Sequence, residues 1–145
     1  PRWSNDGRYR NKTSRAAAKK YEENLISYFK LARGGFPMFD LIFLGIGEDG
    51  HTASLFPDSP ALKEPQHIAA AVMPEEISKH KRITLTFPVI NNAKNIIFLV
   101  AGSNKAKVVK EILEEKNSVL PAARVKPKKG KLFFLLDKSA ASYLK

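Results

Sequence analysis

The chain has 145 residues, 43% hydrophobic and 27% charged, which suits one globular domain with a core and excludes a disordered polyelectrolyte. Cysteine is absent, so disulfides, thiolate nucleophiles and cysteine-based metal sites are excluded as well. The net charge of +11 is uneven: residues 1–34 carry +6, 35–104 carry −2 and 105–145 carry +7, a pattern that attracts anions at both flanks.

Residues 1–14 show no apolar periodicity and no apolar signal core, so they read as an irregular amino-terminal segment. Ser14 is placed to cap a helix whose apolar positions run through Ala17, Tyr21, Leu25 and Phe29 to about Ala32, with Gly34 and Gly35 ending it. Asp40–Leu44 is a short continuous apolar run, predicted as a strand buried on both faces. Three glycines follow, then Thr52–Phe56, predicted as a short helix stopped by Pro57. Ile68–Val72 and the alternating Arg82–Thr86 read as strands, and residues 88–92 as a helical turn. Asn95–Ala101 is the strongest buried strand. Ser103 or Asn104 is placed to cap a helix with Val108, Val109, Ile112 and Leu113 on its apolar stripe. A basic loop spans 121–130; Leu132–Leu136 is a last buried strand, and Asp137 should cap a short terminal helix.

Strands alternating with helices predict an α/β fold with a mostly parallel sheet and helices on both faces. No apolar run reaches the length that spans a bilayer, so a cytoplasmic protein is expected. The lysines interleave with glutamates at helical spacing (Lys110 with Glu114), so most of the basic charge reads as solvated helix face rather than a nucleic-acid surface.

The chemistry concentrates in Asp40–Pro57, where a buried strand runs into Gly45-Ile-Gly47-Glu-Asp-Gly50-His51. Ligands of open α/β sheets bind at the carboxyl ends of strands, and glycines there permit positive φ and close backbone approach. His51 falls where such a ligand would lie, and a histidine can take and give a proton there. Asp49, two residues away, is within reach of its ring. Two other readings stand beside this one. The glycines spell the dinucleotide fingerprint, but the final one precedes a histidine and no acidic residue closes a second strand at the expected distance. His51 can also be a structural residue that bonds the turn. His67 and His80 lie in polar contexts and read as surface residues; three histidines without a paired motif make no zinc site.

The segment Gly45–Pro57 resembles the signature of the 6-phosphogluconolactonase family, and the resemblance continues through Ser59–Leu62, Arg82–Pro88, Ile97–Ala106, Leu120–Pro127 and Leu135–Asp137. It covers roughly residues 15–145, in order, and implies the carboxy-terminal part of a single three-layer α/β/α Rossmann-like domain with the amino-terminal part of the family fold missing. It implies hydrolysis of 6-phospho-D-glucono-1,5-lactone in the pentose phosphate pathway, with no metal or other cofactor. His51 is then the catalytic base and Asp49 its orienting partner. The resemblance further assigns Gly45, Gly47, Gly50 and Thr52 to substrate contact, and Arg82 and Lys105, by likeness to related isomerases, to the phosphate. A small sugar-phosphate lactone is the expected partner, with neither nucleic acid nor membrane, and the oligomeric state stays open. The turn's backbone N–H groups are candidate oxyanion donors. An amino-sugar-phosphate isomerase or deaminase on the same fold, and a non-enzymatic anion-binding module, are the competing functions. The isolated segment is expected to be weak or inactive as an enzyme.

Overall fold

The computed structural model describes residues 14–72 and 81–145; the rest of the expected amino-terminal tail, and His80, lie outside the described residues. Helix α1 (Ser14–Phe29) stops three residues short of the expected end. Lys30 adopts φ 51°, Leu31 N–H donates to Ile26 C=O at 3.0 Å and Lys30 N–H to Ser27 C=O at 3.3 Å. These are the two closing bonds of a Schellman motif, so a left-handed lysine ends the helix before the glycine pair is reached.

Strands β1 (Ile42–Leu44), β4 (Asn95–Val100) and β5 (Lys131–Leu136) form a parallel sheet in the order β1-β4-β5. Strands β2 (Ala69–Val72) and β3 (Arg82–Leu85) form a separate antiparallel ribbon, and α1 packs on it through Leu25 against Ile68. A single turn, α2 (Phe87–Ile90), leads into β4, and α3 (Ala106–Glu114) carries the chain from β4 towards β5. The expected α/β architecture with a mostly parallel sheet is therefore present.

Burial corrects the expectation of strands covered on both sides. Partners across a parallel pair share a face, so Leu44, Phe98 and Phe134 point one way and Phe43, Ile97 and Phe133 the other. The first face meets Leu55, Phe56, Ile90, Val108 and Val109 in the core. The second leaves Phe43 58%, Leu99 50% and Leu135 56% exposed. Among the described residues, no helix lies over it.

Three further expectations change. Thr52–Phe56 is a tight turn rather than a helix: Ala53 sits at φ 51° and Leu55 N–H donates back to Thr52 C=O at 2.8 Å. Neither Ser103 nor Asn104 caps α3; Gly102, at φ 99°, enters a 3₁₀ turn at Ser103–Lys105 that runs into the helix. After β5 the chain makes consecutive turns instead of a helix, although Asp137 does cap the first by accepting from Ala140 N–H at 2.6 Å. In β3 the threonine face is the inner one. Thr84 and Thr86 are buried while Ile83 is exposed, because each hydroxyl is bonded: Thr86 Oγ1 donates to His67 C=O at 2.6 Å.

Candidate active site

Strand β1 ends at Leu44, and residues 45–51 make a turn closed on itself. Gly47 N–H donates to His51 C=O at 2.9 Å and Gly50 N–H to Gly47 C=O at 3.0 Å. Both donors are thereby consumed, so neither is free to hold an oxyanion; this corrects the expectation for those two glycines. Gly47 instead allows close approach: a Cβ there would lie 2.1 Å from His51 Nδ1. Gly50 stands at φ 78° against Leu120, and its C=O accepts from Ala122 N–H at 3.0 Å, which fastens the turn to the following layer. Gly45 alone of the three is exposed and lines a cavity of about 480 Å³ with Ala53, Ser54 and Thr84.

Thr52 is fully buried, and its hydroxyl donates to Gly45 C=O at 2.9 Å. Its side chain clips the turn together and has no open path to a ligand, so a structural role replaces the substrate contact expected of it.

His51 is the outward product of this construction. Its side chain keeps 27% of its surface exposed, and Nδ1 lies 2.6 Å from Asp49 Oδ1. The same carboxylate oxygen accepts the His51 backbone N–H at 3.1 Å. Burial pushes the Asp49 carboxyl up, but the His51 backbone N–H, the ring N–H and the ring's charge together hold it below the ordinary 3.8. An ionised carboxylate only accepts, so when the ring is neutral this contact favours the proton on Nδ1 and leaves the lone pair on Nε2.

The ring also rests on Phe56, with centroids 4.4 Å apart and planes 39° from parallel. Arg82, at the start of β3, sets its guanidinium carbon 5.6 Å from the centre of that same phenyl ring. The two separations keep imidazole and guanidinium no more than about 10 Å apart. Arg82 is half-buried, with no carboxylate partner among the described residues.

Lys105 is half-buried at the junction of the 3₁₀ turn with α3. The neighbouring Asn104 amide donates to Glu48 Oε1 at 2.6 Å, tying this turn to the one that bears His51. No contact joins Lys105 itself to His51 or Arg82. The cavity beside Gly45 includes none of these three side chains, and a second, of about 600 Å³, lies between α1 and β2, away from them.

The structure thus brings His51, Asp49 and Arg82 into one cluster and leaves Lys105 on an adjoining turn. Phe56, Glu48 and Asn104 stood in the segments singled out from sequence, yet nothing in their local spacing revealed these contacts. Among the described residues, no group of three or more His, Asp or Glu is gathered as a metal site, and no helix is long and apolar enough to cross a membrane.

Residues 5–134 match the family described as glucosamine-6-phosphate isomerases/6-phosphogluconolactonase. A 6-phosphogluconolactonase of Homo sapiens is 45% identical over 129 residues, covering 88% of this chain and 49% of that protein. The crystal structure of a 6-phosphogluconolactonase from Trypanosoma brucei superposes with a TM-score of 0.78 at 36% identity, covering 90% of this chain and 53% of that one. A monomeric glucosamine-6-phosphate deaminase superposes less closely, with a TM-score of 0.67 at 25% identity over 88% of this chain and 54% of that one. The chain spans about half the length of the curated relatives it matches.

Proposed function

We propose, from the premise that this chain belongs to the glucosamine-6-phosphate isomerase/6-phosphogluconolactonase family, that the protein carrying it hydrolyses 6-phospho-D-glucono-1,5-lactone to 6-phospho-D-gluconate. This places it in the pentose phosphate pathway, acting on a small sugar phosphate in the cytoplasm.

The observation that carries the reading is the Asp49–His51 pair, 2.6 Å apart, in a partly exposed imidazole that shares the Phe56 ring with the Arg82 guanidinium. Lactone hydrolysis needs a base to take a proton from water as its oxygen attacks the ester carbonyl. The tetrahedral intermediate then collapses by breaking the bond to the ring oxygen, which must receive a proton. His51 Nε2 accepts the first proton and returns it to the leaving oxygen, so one imidazole serves both steps. Asp49 holds the ring's tautomer and stabilises the imidazolium between them.

Arg82 is the phosphate-binding group in this reading. Imidazole and guanidinium share one phenyl ring and stand no more than about 10 Å apart, within the span of a six-membered lactone with a water at its carbonyl end and a charge-assisted hydrogen bond at its phosphate end. Lys105 adds positive charge from the adjoining turn. Gly45, the exposed glycine of the turn, is the one of the three that remains open to a ligand. The scheme calls for no metal.

Proton release from fresh lactone by the whole protein tests the assignment. His51→Ala should lower kcat by about 10²–10⁴-fold with the fold retained. A variant that turns over at the parent rate would remove His51 from the mechanism. Ammonia released from glucosamine-6-phosphate, without lactone hydrolysis, would favour the deaminase that shares the fold.

A further inference from the structure

Phe56 is 5% exposed, and its position is set from two directions. Through Leu55, whose N–H donates to Thr52 C=O, it follows the turn that bears His51. Through Ser54, whose N–H donates to Thr84 Oγ1 at 3.2 Å, the same segment is fastened to β3, the strand that Arg82 begins. The phenyl ring then touches both functional side chains at once, the imidazole at 4.4 Å and the guanidinium at 5.6 Å.

We propose that Phe56 is a positioning residue that fixes the spacing between the base and the phosphate-binding cation, by packing against the His51 ring and holding Arg82 through its ring face. An aromatic face carries negative potential, so a guanidinium beside it is attracted and restrained, whereas an aliphatic side chain of similar size supplies packing alone. An arginine has many rotamers, and restraining it before substrate arrives lowers the entropy lost on binding the phosphate. Loss of this restraint therefore appears chiefly in KM. Loss of the packing partner of His51 appears in kcat.

The proposal rests on the lactonase reading, and its test separates the two. Phenylalanines with one, two and three ring fluorines, placed at position 56 of the whole protein, keep the shape while draining the negative potential from the ring face. KM for the lactone should rise stepwise, by about two- to fivefold across the series, with kcat changing less. In an Arg82→Ala background the same series should leave KM flat. Phe56→Leu, where it folds, should lower kcat as well as raise KM. A KM that ignores fluorination, in a protein where His51→Ala still abolishes turnover, overturns the proposal and leaves the lactonase reading standing. If the whole protein lacks lactone hydrolysis, that reading falls, and calorimetric binding of 6-phosphogluconate decides instead: affinity that weakens with fluorination supports Phe56, and unchanged affinity overturns it.

Discussion

Asp49 holds His51 twice, by backbone and by ring, and its carboxyl titrates below the ordinary 3.8 as a result. A carboxyl depressed in the folded state stabilises that state fully above its unfolded pKa and ceases to as pH falls through the folded value. The stability advantage of the parent over Asp49→Asn should therefore be constant at neutral pH and shrink below about pH 3.8; urea midpoints measured across that range check it. An advantage that grew on acidification would contradict the assignment. Asparagine can also donate to the ring, which frees Nδ1 to accept and puts the proton on Nε2, so Asp49→Asn should slow turnover even at neutral pH. This pair was legible in the sequence because its members stand two residues apart and the glycines around them force a turn. The contact of Arg82 with Phe56 was not, since the fold alone brings those positions together.

Among the elements, α1 shows how a strong local signal can mislead. Gly34 and Gly35 are the residues a helix terminus favours, yet the chain turns out of the helix at Lys30, paying the steric cost of φ 51° on a residue with a Cβ. Leu31 explains the choice: stopping there drops its side chain onto the cluster formed by Leu25, Ile68 and Val89. Lys30→Gly relieves the strain and keeps both closing bonds, so it should stabilise the protein by about 0.5–1 kcal/mol, read as a rise in Tm. The apolar runs of β4 and β5 were readable because they are continuous and bounded by turn residues, and β4 is rich in β-branched side chains as well. Thr52–Phe56 was not, because five residues with three apolar side chains fit a helical turn and a reversed loop equally well. The bond from Thr52 to Gly45 C=O decides between them.

At the scale of the whole molecule, continuous apolar runs predicted strands covered on both faces but could not say what covers them, and the exposed row of Phe43, Leu99 and Leu135 departs from that expectation. The order of assembly is readable from the same sheet. Strands β4 and β5 pair along six residues and are joined through a single helix. Strand β1 pairs with β4 along three residues, with a partner about fifty residues further along the chain. Short pairing with a distant partner costs more loop entropy for less contact, so β1 is held least firmly. The turn that presents His51 hangs from that strand. Amide protons of Ile42–Leu44 and Gly47 should accordingly exchange with solvent faster than those of Ile96–Phe98. An order the other way round would show β1 to be the anchored strand. If it is the loose one, warming silences the base by local melting while the remaining sheet is still intact, and heat inactivation runs ahead of unfolding.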